Sequence, residues 1–203
     1  MKVMTSGIWV PDITQGPFRY LNGANALKPV VQRAKQRRVC IQAGGHIGLV
    51  PRMLAEHFQA VYTFEPHAEN FSCLVRNMER HTNVYAARGI LGHARGTVGL
   101  AEHTRSTGGH NVKGEGNVPT YRIDDMALPC VDAIFLDMEG YEMHGLMGAI
   151  GTIRRDLPLL VVEENKKVHG KGFEFGDILT LVEPLGYVLT DTVGEDLVLE
   201  AAA

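Results

Sequence analysis

The chain has little cysteine and tryptophan: its 203 residues include three cysteines and one tryptophan. Cys40, Cys73 and Cys130 are odd in number and widely spaced, which argues against a disulfide framework and against a cysteine-based zinc site. The nine histidines are scattered and include no His-x-x-x-His pair of the kind that often ligates a metal. We therefore expect buried free thiols, no metal site and a cytoplasmic location.

The chain also lacks a long apolar run, a signal-peptide pattern at its start and a strong charge of either sign. A membrane-spanning helix needs ~20 apolar residues, and no run approaches that length. Basic residues number 20 and acidic residues 23, for a formal net charge of −3. A general affinity for nucleic acid is therefore not expected, although a local basic groove is compatible with this balance. We expect no membrane insertion and leave the oligomeric state open.

The length of the chain and its 45% share of hydrophobic residues predict one domain, 1–203, with a sizeable core. Residues 1–22 are predicted to form an irregular N-terminal arm. The arm is either pinned to the core by its aromatic side chains or forms a flap over a pocket. The polar, glycine-rich stretch 103–117 is too polar to join a core, and it is predicted to be a flexible, lid-like loop.

The first motif present is a glycine turn after an apolar run. Val39–Ile41 has the composition of a buried strand, and Gly44, Gly45 and Gly48 follow it at the start of a helical pattern from Ile47 to Phe58. Residues without a side chain let the backbone bend sharply and approach a ligand closely. Taken alone the turn is unspecific, because ordinary tight turns use the same residues and a dinucleotide fingerprint needs a further glycine at position 43.

A second motif ends the next apolar run, Ala60–Phe64. Glu65 follows this run about 20 residues after the glycine turn. An acidic residue at this spacing can accept hydrogen bonds from the ribose hydroxyls of a nucleoside-containing cofactor. The glycine turn and Glu65 together therefore predict a nucleoside site.

Carboxylates also follow two later apolar runs. Val131–Leu136 ends in Asp137 and Glu139, and Leu157–Val162 ends in Glu163. Ligands of open α/β sheets lie outside the carboxyl ends of the strands, so these side chains are predicted to face the ligand. Asp137 or Glu139 is a candidate general base, and Glu163 is a candidate for orienting the substrate. The alternatives are that Asp137 or Glu139 caps the following helix, and that Glu163 is a solvated strand end.

Strands alternate with helical patterns along most of the chain, which predicts a mostly parallel sheet with helices on both faces. The end of the chain differs, because the strands 186–190 and 197–199 are joined by a short turn and must form an antiparallel pair. A terminal antiparallel hairpin beside a parallel sheet is typical of class I methyltransferases and not of nicotinamide-binding sheets. The helices are predicted at 24–37, 47–58, 68–80, 141–154 and 177–183, and the further strands at 83–91, 97–101 and 118–123.

Four segments together resemble the FkbM family of S-adenosylmethionine-dependent methyltransferases, over roughly residues 38–164. The specific one is Asp137-Met-Glu-Gly-Tyr-Glu142 at the end of its apolar strand. The others are Gln42-Ala-Gly-Gly-His-Ile-Gly48, Phe64-Glu-Pro66 and Pro158-Leu-Leu-Val-Val-Glu163. The resemblance implies an α/β, Rossmann-like class I methyltransferase fold: a mostly parallel seven-stranded sheet with helices on both faces and a C-terminal antiparallel hairpin. It also implies S-adenosyl-L-methionine as the cofactor and a hydroxyl of a glycan or other small molecule as the methyl acceptor.

The resemblance implies roles for individual residues. Gly44, Gly45 and Gly48 are expected to approach the methionine and ribose part of the cofactor, and Glu65 to accept hydrogen bonds from both ribose hydroxyls. Asp137 is expected to face both the cofactor and the acceptor, and it forms the predicted catalytic set with Glu139 and Glu163.

The chain departs from the usual family pattern at two positions. Gln42 stands where the family usually has Asp, and His46 where it often has Asn. Both are predicted to contact the cofactor. Gln42 would do so at the cationic amino end, where an amide can accept a hydrogen bond but supplies no charge.

Two alternatives stay open beside a small-molecule O-methyltransferase. A ribose 2′-O-methyltransferase acting on RNA would use Asp137 with Lys166 and would need a basic groove beside the pocket. A cofactor-binding module without catalysis is permitted by the missing charge at Gln42.

Overall fold

The computed structural model describes residues 1–4, 7–12, 23–101, 109–165 and 172–202, with the backbone alone for 23–26. In these ranges the strands are β1 (Lys2–Val3), β2 (Trp9–Val10), β3 (Val39–Ala43), β4 (Ala60–Glu65), β5 (Val84–Arg88), β6 (Ile90–Leu91), β7 (Gly96–Val98), β8 (Leu100–Ala101), β9 (Asn111–Val112), β10 (Val118–Tyr121), β11 (Val131–Leu136), β12 (Leu159–Glu163), β13 (Tyr187–Val193) and β14 (Asp196–Ala201). The α-helices are α1 (Gly23–Arg33), α2 (Leu49–Ala55), α3 (Ala68–Met78), α4 (Glu142–Met147), α5 (Ile150–Asp156) and α6 (Asp177–Val182).

Seven strands form the central sheet, in the order β13-β14-β12-β11-β3-β4-β5. The five strands from β12 to β5 are parallel, whereas β14 is antiparallel to both of its neighbours, β12 and β13. The predicted fold, a mostly parallel seven-stranded sheet with a C-terminal antiparallel hairpin, is confirmed. The strand order reverses between β3 and β11, and in such sheets the crevice for a ligand opens at the carboxyl ends of the strands on either side of the reversal.

Helices cover both faces of the sheet, because successive side chains of a strand point to opposite faces. On one face Ile41 of β3 belongs to the same core as Leu146 of α4. On the other face Cys40 packs in a second core with Leu54 of α2. A strand buried on both faces reads as a continuous apolar run, which is why these strands were predictable. None of the helices in the described ranges has the length and apolar composition that crossing a bilayer requires.

The predicted helix 141–154 is divided into α4 and α5. At Gly148 an added Cβ would lie 2.1 Å from the carbonyl oxygen of Gly92, so a tight backbone contact occupies the place where the helix would continue. Asp124 then caps the new helix: its Oδ2 accepts the N–H of Gly151 at 2.9 Å, and its Oδ1 accepts the N–H of Thr152 at 2.7 Å. This cap is supplied by a distant part of the chain, and local helical periodicity cannot report it.

The predicted strands 83–91 and 97–101 are each interrupted by a glycine. Gly89 lies between β5 and β6, and Gly99 lies between β7 and β8. A Cβ at Gly99 would lie 2.3 Å from the carbonyl oxygen of Lys113, because the chain doubles back closely there. The interruptions let β6 and β7 join β10 in a separate three-stranded sheet, while β8 pairs with β9.

The stretch 103–117 differs from its prediction in its described part. Asn111–Val112 form β9, Val112 belongs to the main core and His110 is buried, so the expectation that this stretch adds nothing to the core is wrong for 109–112. Apolar Val112 is an isolated residue in a polar run, which explains why composition did not reveal its burial. Residues 102–108 lie outside the described residues.

The described part of the N-terminal arm is packed on the domain. β1 and β2 form an antiparallel pair, and Val10 is fully buried in a cluster with Ile47 and Cys73. The Asn77 side chain of α3 accepts the N–H of Trp9 at 2.8 Å and donates to its carbonyl oxygen at 3.0 Å. Residues 13–22 lie outside the described residues.

The three cysteines are free thiols, as predicted. Cys40 and Cys73 are buried, but Cys130 is exposed, so the expected burial is wrong for that residue.

Candidate functional site

The turn after β3 is wedged between two other elements. Gly44 has a φ of +84°, and a Cβ there would lie 1.9 Å from the carbonyl oxygen of Asp137. A Cβ at Gly45 would lie 2.6 Å from Leu74 Cδ1 of α3 and 2.6 Å from Thr63 Oγ1 of β4. The missing side chains thus make room for protein atoms, whereas the sequence interpretation had assigned that room to a ligand. Contacts of Gly44, Gly45 and Gly48 with a cofactor stay a prediction.

His46 occupies the crest of this turn in a left-handed conformation, with a φ of +47°. Histidine, like asparagine and aspartate, enters this region more readily than most residues, so His46 and the Asn usual in the family meet the same backbone requirement. The backbone N–H of His46 donates to Glu65 Oε2 at 2.8 Å. The turn is thereby fastened to the end of β4.

Glu65 is 5% exposed at the carboxyl end of β4 and already accepts three hydrogen bonds. Besides the bond from His46, its Oε1 accepts the N–H of His67 at 2.9 Å and the side-chain amide of Asn70 at 3.3 Å. A carboxylate has about four acceptor positions. One position on Oε2 is therefore left for a ribose hydroxyl, and accepting both hydroxyls requires one present donor to move.

Burial raises the pKa of Glu65 to about 7, against the lowering effect of these three hydrogen bonds. The negative charge of Asp137 raises this pKa further. The glycine turn connects the two residues, because Gly44 packs against the carbonyl oxygen of Asp137 and the N–H of His46 donates to Glu65 Oε2 at 2.8 Å. The nucleoside-binding candidate and the catalytic candidate thus belong to one site.

Gln42 is fully buried within the sheet. Its Oε1 accepts the hydroxyl of Thr63 at 2.5 Å, and its Nε2 donates to the carbonyl oxygen of Ala43 at 2.9 Å. Direct contact with a cofactor would require these bonds to break. The structure therefore gives Gln42 a role in joining β3 to β4, and its predicted cofactor contact stays untested.

Three carboxylates meet at the carboxyl edge of the sheet. One oxygen from each of Asp137, Glu142 and Glu163 lies within 4.8 Å of the others, and we call these residues the carboxylate cluster. Asp137 follows β11, Glu142 begins α4 and Glu163 ends β12. Asp196, the first residue of β14, is paired with Glu163 in the sheet register and adds a fourth acidic side chain beside the cluster.

Glu142 fixes the loop between β11 and α4. Its Oε1 accepts the N–H of Met138 at 2.5 Å and the N–H of Gly140 at 3.2 Å. Glu142 is 1% exposed, and its Oε2 is buried without a hydrogen-bond partner among the described residues. Glu142 therefore has a structural oxygen and a second oxygen that this loop does not use.

Burial and mutual repulsion raise the pKa values around the cluster. The pKa of Glu163 rises to about 9, first through burial and then through the charges of Asp137 and Glu142, against a lowering hydrogen bond from Asn165. Burial likewise raises the pKa of Glu142 to about 7 and that of Asp196 to about 7. Without a nearby positive charge, burial thus favours the protonated form of Glu163, which can donate a hydrogen bond, whereas a cation among the carboxylates would favour the ionised form.

Glu139 lies outside the three-carboxylate cluster. It has a φ of +58° in the loop before α4, an uncommon conformation for a residue with a side chain. The N-cap residue of α4 is Tyr141, so neither Asp137 nor Glu139 occupies that capping position. Unusual backbone at the ends of both β3 and β11 is consistent with a functional site at this edge of the sheet.

Sequence reasoning missed two contributors to this region. The first is Asp196, which comes directly after the hairpin turn. A strand that runs antiparallel to β12 begins at the edge of the sheet where β12 ends, so the position of Asp196 in the sequence could have revealed its place near Glu163. His67 is the second: it donates to Glu65 and its ring stacks on that of His110 at a centroid distance of 4.0 Å. Lys166, the partner of Asp137 in the RNA alternative, lies outside the described residues.

Comparisons with known proteins agree with this architecture. The FkbM methyltransferase domain family matches residues 42–189. A crystal structure of the methyltransferase FkbM from Methylobacillus flagellatus KT is similar with a TM-score of 0.55 and 17% identity, covering 80% of this chain and 43% of that one. The chain thus spans less than half the length of that protein. No curated protein matches the chain.

Two further structures share the fold over nearly all of this chain. Precorrin 8W decarboxylase from Methanobacterium thermoautotrophicum has a TM-score of 0.54 and 14% identity, covering 96% of this chain and 97% of its own. Fibrillarin from Aeropyrum pernix, with natively bound S-adenosyl-L-methionine, has a TM-score of 0.54 and 13% identity, covering 88% of this chain and 72% of its own. At such identities the likeness concerns the fold.

Proposed function

The chain belongs to the FkbM methyltransferase family, with S-adenosyl-L-methionine as the methyl donor, and we propose that it methylates a hydroxyl of a sugar or another small molecule. The observation that carries the proposal is the glycine turn between Glu65 and Asp137 at the strand-order reversal: Gly44 packs against the carbonyl oxygen of Asp137, and the N–H of His46 donates to Glu65 Oε2 at 2.8 Å. We further propose that the whole chain acts as one methyltransferase domain.

The donor lies in the crevice between β3 and β11, with its ribose at Glu65. The remaining acceptor position of Oε2 takes one ribose hydroxyl, and displacement of the long bond from Asn70 frees a position for the other. The glycine turn and His46 lie on the β3 side of this crevice. The sulfonium end then points toward Asp137, since this residue follows the strand next to β3 in the sheet.

Methyl transfer needs the acceptor oxygen, the methyl carbon and the sulfur in line, and it needs a group that takes the hydroxyl proton. Asp137 is partly exposed at the strand end, so an acceptor can reach it, and we assign it the proton. Glu163 orients the acceptor hydroxyl from the next strand. Glu139 is placed in the adjoining loop and is the reserve candidate for the base.

Calorimetry with S-adenosyl-L-methionine and with its demethylated product tests the donor site. Wild type should bind both, and Glu65→Ala should weaken binding at least tenfold, because the ribose loses its acceptor. Glu69→Ala is the matched control, since Glu69 lies in α3 nearby but bonds only to the N-terminal arm among the described residues. Absence of donor binding by the wild type would overturn the proposal.

Transfer of a tritiated methyl group into a glycan pool and into small hydroxyl compounds tests the acceptor class and the base. We expect incorporation by the wild type and at least a hundredfold loss in Asp137→Asn, because the amide cannot take the proton. Glu195→Gln, which removes one exposed charge near the same edge, should keep its rate. Full turnover in Asp137→Asn would move the base to another residue, and incorporation into RNA alone would favour the 2′-O alternative.

A further inference from the structure

We propose that Asp137, Glu142 and Glu163 bind a divalent cation through their carboxylate oxygens. The sequence predicted no metal site, because it contains none of the usual local spacings of ligands. The three carboxylates come instead from two strand ends and a helix start, which only the fold brings together. The chemical class of the ligand is a hard cation such as Mg²⁺, Ca²⁺ or Mn²⁺, since the donors are all oxygen.

The spacing of the cluster suits such an ion. Its three oxygens lie within 4.8 Å of one another. Three oxygens no more than 4.8 Å apart share a point that is at most about 2.8 Å from each of them, whereas Ca–O bonds are about 2.3–2.6 Å long and Mg–O bonds about 2.0–2.1 Å. Shifts of at most a few tenths of an ångström therefore admit Ca²⁺. Mg²⁺ needs shifts of up to about 0.7 Å or a bridging water.

The second oxygen of Glu142 is an independent sign that the cluster has a ligand. This side chain is 1% exposed, and two backbone N–H groups hold its Oε1, so the carboxylate cannot rotate freely. Its Oε2 has no hydrogen-bond partner among the described residues, and the same is true of Glu163 Oε2. Buried acceptors of this kind normally have a partner, and a cation between carboxylates would supply one to both.

Supporting elements hold two of the ligands rigidly. β11 and β12 are adjacent central strands with four paired residues, and Glu163 is the last residue of β12. Asp137 donates its backbone N–H to the carbonyl oxygen of Ala43 at 3.2 Å, which fixes the end of β11 against β3. Ligands on packed strand ends are pre-organised, and pre-organisation favours binding.

A catalytic role for this cation rests on the proposed function. The ion would hold the acceptor oxygen next to the methyl group and weaken its O–H bond. As the carbon–sulfur bond breaks and its electron pair goes to sulfur, the new oxygen–carbon bond forms and the proton leaves. Asp137 has two oxygens, so one can ligate the ion while the other receives that proton.

Electron paramagnetic resonance of free Mn²⁺ tests binding without any methyl donor. Chelator-treated protein at pH 7.5 should remove about one equivalent of the free Mn²⁺ signal, and excess Mg²⁺ or Ca²⁺ should restore it. Glu163→Gln should weaken Mn²⁺ binding at least tenfold. A wild type that leaves the free signal unchanged at millimolar Mn²⁺ would overturn the proposal, because the cluster would then hold only protons.

Glu195→Gln is the matched control for that variant. It removes the same charge one residue from Asp196, whose pKa the Glu195 charge helps to raise. Glu195 is exposed, and none of the hydrogen bonds or ion pairs of the described residues involves its side chain. Its Mn²⁺ affinity should stay within twofold of the wild type. Equal weakening in both variants would indicate a diffuse electrostatic effect and would reject a built site. Glutamine resembles a protonated glutamate in size, so thermal unfolding without metal should show that Glu163→Gln is folded.

The binding assay and the transfer assay separate the two proposals. Mn²⁺ binding that is lost in Glu163→Gln supports the cation site even if no acceptor is methylated. Methyl transfer that continues at full rate in EDTA overturns the catalytic role of the cation while leaving the methyltransferase assignment intact. Transfer that stops in EDTA and returns with Mg²⁺ supports both.

Discussion

Two glycines of this protein, Gly44 and Gly172, have the same positive φ for different physical reasons. Gly44 and Gly172 both have a φ of +84°. A Cβ at Gly44 would collide with the carbonyl oxygen of Asp137 at 1.9 Å, whereas no described atom lies within 4 Å of a Cβ at Gly172. At the first position glycine is needed for conformation and for space, and at the second for conformation alone.

Gly44→Ala and Gly172→Ala should therefore differ in stability. Each substitution should lower the free energy of unfolding by about 1–2 kcal/mol, because alanine is strained at positive φ. Gly44→Ala should lower the free energy of unfolding by about 1–3 kcal/mol more than Gly172→Ala does, because the end of β11 must move. Denaturant unfolding of both variants measures this difference. Equal decreases in the free energy of unfolding would mean that the turn rearranges around the new methyl group without loss of stability.

Burial of the Glu65 carboxyl makes its contribution to stability depend on pH. Its carboxylate holds three loop donors together, but burial raises its pKa to about 7 from an ordinary 4.5. Below about pH 4.5 both the folded and the unfolded chain are protonated at this residue, and the full contribution to stability is present. Between about 4.5 and 7 the unfolded chain ionises first, so this contribution falls as the pH rises.

We expect the free energy of unfolding of the wild type, minus that of Glu65→Gln, to fall by up to about 3 kcal/mol between pH 4.5 and pH 7.5. The variant cannot ionise at position 65, so subtraction removes the other titrating groups. Denaturant titrations at several pH values provide the measurement. A difference that rises with pH would show that the three hydrogen bonds outweigh burial and lower the pKa of Glu65.

At the scale of elements, the residues of the candidate site and the residues that support it lie at the ends of strands and the starts of helices. The carboxylate cluster joins the ends of β11 and β12 to the first residue of α4. α5 is likewise started by a side chain from outside, since Asp124 accepts from the first-turn N–H groups of Gly151 and Thr152. The bonds from Gly151 and Thr152 to Asp124 set the start of α5 and so keep α5 separate from α4.

Asp124→Ala should destabilise the protein by about 1–2 kcal/mol, because the first turn of α5 loses its side-chain acceptor. Asp125→Ala is the control, since Asp125 forms exposed ion pairs with Arg95 and Arg122 and should cost at most about 1 kcal/mol. Urea unfolding of the two variants distinguishes them. Similar losses would show that the α5 cap contributes no more than a surface ion pair.

For the whole molecule, the two chain ends contribute unequally to the core. The described part of the arm buries Val10 against α2 and α3, at the margin of the fold. The C-terminal hairpin instead completes the sheet, and Val198 and Leu199 of β14 are fully buried, one in each of the two main cores. Removal of the hairpin would expose β12 along its whole edge.

A chain ending at Gly186 should therefore fail to unfold cooperatively, whereas a chain lacking residues 1–12 should keep a cooperative transition with a lower midpoint. The first loses two strands and part of both cores, and the second loses a short pair beside one small cluster. Circular dichroism melts and gel filtration measure both. A cooperative melt of the chain ending at Gly186 would show that the five parallel strands form a stable fold without the hairpin.

Much of this architecture follows from local patterns. The central strands are buried on both faces and so appear as continuous apolar runs, and the short turn at 194–195 forces β13 and β14 to be antiparallel. The motifs around Gly44, Glu65 and Asp137 also indicated the family and the edge of the sheet where the candidate site lies. Elements were predicted well where a local period decides them, and less well where a distant contact does, as at Gly148 and Val112.

The sequence by itself determined the sheet, the hairpin and the identity of the acidic residues that end the strands, because side-chain alternation and turn length act over a few neighbouring residues. Only the tertiary structure decided that Gln42 is engaged by Thr63, and that Asp196 lies beside Glu163. It also decided that Asp137, Glu142 and Glu163 share one small volume. These facts depend on strand order and register, which bring together residues far apart in the chain, and a local period carries no information about them.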